Sequence, residues 1–290
     1  MLKKFKNIKG YIYLLPALIT MGIFVLYPII NTVIFSFDET KSPGFVFGLG
    51  SYTALFEDER FIRSIGNTLL YAVVVPFLSV VISLLLANAL VNIKNQKVRG
   101  VFQSIYFLPY VTSLVAIGVV WSWLFNSDYG IINHVLGIVG IEPIAWLSDP
   151  KWAMPALVIF AVWKSLAFNT IILTTGMATI NPEYYKAARV DGATSGTIFR
   201  RITVKLVSPM ILYTYIISLI AAFKVYTEVF VLFGGRTLDG SVSTMVQYII
   251  DRFYTDQDFP LAFAASIVLL IIILTVTLVQ RTIAKNKIHY

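Results

Sequence analysis

Among the polar side chains inside otherwise apolar runs, Lys164, Asn169, Lys224 and Glu228 are the ones that could do chemistry. An ionisable group at membrane depth costs on the order of 2.5–3.5 kcal/mol on insertion scales, so by default it faces protein or water. Lys224 and Glu228 are spaced i, i+4 and can neutralise each other along one helix face. The rival reading sets Glu228, with Tyr226 and Phe223, at the border of a solute pathway. Lys164 has two readings as well, a stem snorkelling to the interface or a pathway residue. Enzyme chemistry finds little to work with. There is no cysteine, hence no disulfide, thiolate metal site or cysteine nucleophile. His134 and His289 are too far apart to suggest a metal cluster, no histidine falls in an apolar run to activate a serine, and no phosphate-cradling G-x-x-x-x-G-K-[ST] loop occurs.

The elements that must position these groups are membrane spans. The 290 residues are 58% hydrophobic and 13% charged, with a mean hydropathy of +0.79, against about 25% charged residues in a soluble domain. The apolar residues gather into six runs near the ~20-residue length needed to span a bilayer: Tyr11–Phe37, Asn67–Leu90, Ser104–Phe125, Met154–Thr179, Pro209–Phe233 and Leu261–Ala284. Continuous runs rather than period-2 alternation mean helices, not a barrel. The first run is expected to be a retained span, since its core is too long for a signal peptide and no small-residue cleavage site follows.

Charge sets the expected orientation. Lys3, Lys4, Lys6, Lys9, Lys94, Lys97, Arg99, Lys186, Arg189, Arg200, Arg201, Lys205, Arg281, Lys285 and Lys287 fall on one side; only Lys41, Arg60, Arg63, Lys151, Arg236 and Arg252 fall on the other. The positive-inside rule puts both termini in the cytoplasm. The net charge of +8 is then a topology signal and not a nucleic-acid footprint. In the outer loops, Asn67 is expected to cap the second span, and Tyr129–Val139 to form a short amphipathic helix.

The loop of residues 180–208 is far longer than a minimal helix connection. Asn181 can cap a helix starting at Pro182, with Glu183 well placed in its first turn. A break is expected at Gly192, followed by a second short helix from Thr194 or Ser195 through Ile202. Ala187, Ala188, Gly192 and Ala193 leave a low surface for another protein, and Tyr184, Tyr185 and Phe199 can serve as aromatic anchors. A loop lying back on its own helices is the other reading that the spacing allows.

Glu183-Tyr-Tyr-Lys-Ala-Ala-Arg-Val-Asp-Gly-Ala, followed by Phe199-Arg-Arg-Ile-Thr and Pro209, resembles the cytoplasmic E-A-A loop of bacterial ABC importer permeases, in the D-G-A form typical of carbohydrate importers. Tyr13-Leu-Leu-Pro-Ala, Tyr27-Pro-Ile-Ile, Tyr106-Phe-Leu-Pro, Gly130-Ile-Ile-Asn, Trp146-Leu-Ser-Asp-Pro and Phe223-Lys-Val-Tyr-Thr-Glu are similar to motifs of the maltose and glycerol-phosphate class, in the same order. Two positions depart from the pattern: Lys186 stands where the family has Glu, and Val204-Lys205 where it has Leu-Pro. Either Glu183, one turn earlier on the same face, takes over the acidic role, or the second permease subunit carries the standard pair.

The resemblance implies an all-α integral membrane protein of the type I importer kind, one domain of six transmembrane helices with a cytoplasmic coupling helix between the fourth and fifth, in a bacterial or archaeal cell membrane. Glu183, Tyr184, Lys186, Ala187, Ala188, Asp191, Gly192 and Ala193 would dock on an ATPase. The spans on either side of that loop line the cavity in such permeases, which adds Trp163 and Asn169 to Lys164, Phe223, Tyr226 and Glu228 as pathway candidates. It implies a second homologous permease, two copies of the ATPase, an extracytoplasmic solute-binding protein and no cofactor in this chain, since ATP and Mg reside in the partner. The implied cargo is a carbohydrate such as an oligosaccharide, with an anionic polyol or sugar (glycerol phosphate or a uronate) as the alternative. An ion-coupled secondary carrier is the more distant rival, opposed by the lack of a visible internal repeat.

Overall fold

The computed structural model describes residues 13–40 and 44–285, with side chains to residue 282. Lys3, Lys4, Lys6, Lys9, Tyr11, Lys41, Lys287 and His289, and the side chain of Lys285, lie outside the described residues. In chain order the helices are α1 Tyr13–Phe35, α2 Gly50–Glu57, α3 Glu59–Val91, α4 Gln96–Val111, α5 Leu114–Leu124, α6 Ile131–Ile138 and α7 Pro150–Ala178. They continue with α8 Pro182–Val190, α9 Ser195–Leu206, α10 Ser208–Phe223, α11 Thr227–Phe233, α12 Met245–Ile250 and α13 Phe259–Lys285. Among the described residues the only extended pairing is an isolated antiparallel bridge, Asp38 to Phe47. Helices α1, α3, α7 and α13 are long and apolar enough to cross a membrane, and two bent pairs bring the number to six if each is one span.

One of those bent pairs and a separate helix break correct two expected spans. The run Ser104–Phe125 is not one helix: α4 and α5 meet at 102°. Pro109 cannot donate into the ladder. Thr112 then turns extended and donates its hydroxyl to the Leu108 carbonyl at 2.8 Å, closing α4. The run Pro209–Phe233 is also interrupted, at Lys224–Tyr226 between α10 and α11. Backbone groups at such a break must be satisfied internally. Lys224 and Val225 N–H donate to the Ala221 and Ala222 carbonyls, and the Thr244 hydroxyl donates to the Val225 carbonyl at 2.9 Å. Asn67 is not a cap either, because α3 begins at Glu59, where the Asp58 carboxylate accepts from Arg60 N–H. The Asn67 amide instead donates to the Gly240 and Ser243 carbonyls at 2.7 and 2.9 Å.

The fold divides into two compact units. The first takes the described residues up to Ile62 together with Gln247–Ile271. In α1 a wide turn at Gly22–Leu26, with Tyr27 N–H donating to the Gly22 carbonyl, precedes Pro28 and makes room for its ring. Beyond α1, Asp38 accepts from Thr40 N–H, Val46 N–H and the Thr40 hydroxyl, and the two backbone bonds are the main reason its carboxyl lies below the usual range. Asp58 organises the rest, accepting from the Tyr248 hydroxyl at 2.7 Å and from Arg252. The Arg252 guanidinium also lies 5.0 Å from the Tyr248 ring centroid and reaches Asp256 at 2.8 Å.

The second unit, Arg63–Val246 with the chain from Ile272 onward, is built around α7. Asp149 caps that helix by accepting from Lys151 N–H, with Pro150 in the first turn. α4, α10 and α11 all pack on it. Small residues bring helix backbones close, as in membrane bundles generally: a Cβ added at Gly176 of α7 would sit 2.7 Å from Met210 Cγ of α10. Near these ends Ala87, Leu173, Met177 and Val207 form a buried cluster, against which Ile180, Phe199 and Ile211 pack.

Burial is the largest influence on the Asp58 carboxyl and pushes it up, but the bonds from Tyr248 and Arg252 outweigh burial and hold it below its ordinary value. Its contribution to stability is therefore complete above the unfolded pKa of about 3.9 and drains away as pH falls through the lower folded value. Asp58→Asn is expected to lower stability by about 1–2 kcal/mol at neutral pH. Thermal unfolding in detergent at pH 6 and pH 3.5 should then show a smaller acid loss for the variant than for the parent.

Candidate functional site

A cavity of about 250 Å³ opens within the second unit between α3, α4, α7, α10 and α11. Its aromatic wall is Tyr71, Tyr110 and Phe168, with the Tyr110 and Phe168 rings stacked at 5.6 Å and 22°. Its polar wall is Lys164, Ser165, Asn169, Ser218 and Glu228. Lys164 lies at the midpoint of α7, fourteen residues from either end, or about 21 Å at 1.5 Å per residue. Its ammonium does not reach for an interface; Lys164 Nζ donates to Glu228 Oε1 at 2.8 Å. The two side chains remain 31% and 18% exposed, so the pair faces the cavity. Glu228 thus takes Lys164 as its partner rather than Lys224. The i, i+4 pairing requires one unbroken helix, and the break at Lys224–Tyr226 removes it.

Asn169 is 1% exposed and has both ends of its amide engaged. It donates to the Ser79 hydroxyl at 3.3 Å and accepts from the Ser218 hydroxyl at 3.2 Å, tying α3, α7 and α10 together. The other expected pathway residues are not among those lining the cavity. Trp163 packs on Trp121 with centroids 5.1 Å apart, Phe223 is buried, and Tyr226 stacks on Phe230 at 5.8 Å. The spacing of the sequence did not single out Tyr71, Tyr110, Phe168, Ser79 or Ser218, because an aromatic or a serine in an apolar run carries no mark of the face it occupies.

The second candidate region is the segment from Ile180 to Leu206. Asn181 accepts from Glu183 N–H at 3.0 Å and caps α8, with Pro182 in its first turn. Gly192 ends the turn after α8 at φ +75°, a left-handed conformation that a Cβ would strain. Thr194 then caps α9 through Thr197 N–H at 3.3 Å. No residue of α8 is buried. Tyr184 and Val190 are 57% and 87% exposed and Ala187, Asp191 and Gly192 are also exposed, whereas Ala188 and Ala193 are half-buried. Lys186 and Glu183 pair at 2.8 Å on the outer face, with both side chains more than two-thirds exposed, a contribution of a few tenths of a kcal/mol. The inner side is anchored by the Tyr185 and Thr203 hydroxyls at 3.3 Å and by Ile180 and Phe199 in the buried cluster with Leu173, Met177 and Val207.

Residues 79–288 match the family described as binding-protein-dependent transport system inner membrane component. The chain is 32% identical over 232 residues to the lactose transport system permease protein LacF of Rhizobium radiobacter, covering 79% of this chain and 77% of that one. It is 30% identical over 288 residues to the trehalose/maltose transport system permease protein MalF of Thermococcus litoralis, covering 98% and 96%. A crystal structure of a bacterial ABC transporter involved in the import of the acidic polysaccharide alginate superposes with a TM-score of 0.87 at 26% identity, covering 98% of this chain and 99% of that one.

Removing the Asn169 amide leaves the fully buried Ser79 hydroxyl without that partner, which costs about 1–3 kcal/mol. Asn169→Ala should therefore lower the melting temperature of the detergent-solubilised protein, while Asn169→Gln, which keeps the amide, recovers part of the loss. Equal melting of Asn169→Ala and the parent would remove the latch.

Proposed function

This chain belongs to the family of binding-protein-dependent transport system inner membrane components, and from that premise we propose that it is a permease subunit of an ATP-driven importer carrying an oligosaccharide. It pairs with a second homologous permease and two copies of an ATPase subunit, which holds ATP and Mg, and receives solute from an extracytoplasmic binding protein. The excess of Lys and Arg on one side of the spans supports an orientation with both termini and the 180–208 loop in the cytoplasm. The lactose and trehalose/maltose permeases named above support a sugar cargo, as does a cavity that combines aromatic walls with convergent polar groups. The similarity to the alginate importer supports a second reading, an acidic sugar.

The observation that carries the coupling half of this proposal is the two-sided build of the loop. α8 offers Tyr184, Ala187 and Val190 to a partner, while Ile180 and Phe199 beneath it sit in one cluster with α7 and α10, the helices that also line the cavity. Leu173 and Met177 stand nine and thirteen residues along α7 from Lys164, about 14 and 20 Å. A partner that binds ATP and changes shape would move α8, and a close-packed cluster passes the displacement on to those helices as a rigid-body step.

Gly192 tests this lever because the space around it is open, so a side chain there acts through the backbone alone. Gly192→Val should distort the turn at a cost of about 1–3 kcal/mol and lower solute-stimulated ATP hydrolysis in the assembled complex. Tyr184→Ala should weaken association with the ATPase subunit. Unchanged hydrolysis and unchanged assembly in both variants would refute the proposed handle.

A further inference from the structure

We infer that the Lys164–Glu228 ion pair is a selectivity element that suits the cavity to neutral, hydroxyl-rich solutes and disfavours acidic ones. The inference rests on the carbohydrate reading above and narrows it. Lys164 and Glu228 are the charged side chains that line the cavity, one of each sign, and they meet at 2.8 Å. A solute carboxylate entering that space would need Lys164 as its counter-ion. Lys164 already has one, fixed on α11, and the entering anion would face the like charge of Glu228 in a setting where charges are weakly screened. Separating the pair to admit the anion would leave Glu228 ionised at mid-helix depth without its partner, which is the costly arrangement.

A neutral sugar meets the same pair differently. An ammonium carries three N–H donors and a carboxylate two acceptor oxygens, and the bond between Lys164 and Glu228 uses one donor and one oxygen. With both side chains partly exposed to the cavity, a vicinal pair of hydroxyls can accept from Lys164 and donate to Glu228 with the ion pair still closed. The Tyr110 and Phe168 rings, which line the same cavity, supply an apolar face for the C–H side of a pyranose.

The test measures equilibrium binding to the assembled permease–ATPase complex in nanodiscs, without the solute-binding protein, so that the cavity alone discriminates. The probes are neutral gluco-, galacto- and arabino-trisaccharides against trigalacturonate and triglucuronate. Wild type should favour a neutral probe. Glu228→Gln frees Lys164 and should raise the ratio of acidic to neutral affinity by roughly tenfold. Lys164→Gln leaves Glu228 unopposed and should move the ratio the other way. Lys164→Gln/Glu228→Gln, which removes both charges together, should return it to within about threefold of wild type. If Glu228→Gln fails to assemble, Lys164→Gln decides alone. A wild-type preference for the uronic probes, or a ratio unmoved by either single change, overturns the inference and leaves the carbohydrate reading standing. Binding of none of the probes by wild type overturns that reading and the inference with it.

Discussion

A charge placed midway along a membrane helix must find its opposite within reach, and the second unit is arranged around that demand at Lys164. An ammonium about 21 Å from either end of α7 cannot extend to water along its own stem. Its partner has to come from another helix, and Glu228 comes from α11. Bringing Glu228 there requires that the chain after Phe223 stop being the helix it was. The stop is possible because Thr244 supplies a hydroxyl to the Val225 carbonyl and the neighbouring N–H groups fold back to Ala221 and Ala222. The interruption, the ion pair and the cavity beside them are consequences of one requirement, that nothing polar be left alone in an apolar medium.

The same economy of polar groups explains how the helices of the cavity wall are joined to one another and to the loop at the far end of α7. Asn169 joins α3, α7 and α10 through two serine hydroxyls. Nearer the loop the joining is apolar, with Gly176 admitting Met210 and with Leu173, Met177 and Val207 receiving Ile180 and Phe199. Close-packed contacts of this kind transmit displacement because they do not compress. The outer surface of α8 makes no such commitment. Glu183 and Lys186 pair in the open, Arg189 is exposed in the last turn, and Tyr184 and Val190 are the exposed large apolar side chains.

Much of this was legible in the residues. Run length announces the long helices, and local chemistry announces the ends of α8 and the start of α9, since Asn181, Pro182, Gly192 and Thr194 act on their immediate neighbours. What escaped was every feature decided by distant partners. The third run reads as one span, and the 102° turn within it depends on what α4 and α5 pack against. Asn67 looked like a helix start because the apolar run begins there, whereas Asp58 starts the helix earlier and Asn67 pins the loop of Gly240 and Ser243. Trp163 was implied by its span in the resembling family, and Phe223 and Tyr226 by nearness to Glu228; neither signal tells which face a residue occupies, and on a helix the position next to Lys164 points some 100° away.

The Lys224 and Glu228 spacing shows where such reasoning reaches its limit. Four residues apart with opposite signs is the pattern of a local pair, and the pattern holds only while the helix does. Once the helix is interrupted, the two charges part: Lys224 becomes exposed at the end of α10, and Glu228 turns inward in the first turn of α11. There a carboxylate is favoured by the helix dipole as well as by Lys164. A short helix beginning at depth thus does for Glu228 what no continuous span would: it presents the carboxylate at a helix N-terminal turn, against a lysine of another helix, on the wall of a cavity. The break in the fifth span is accordingly part of the site itself, and the selectivity of the cavity follows from the backbone that leaves the helix at Lys224.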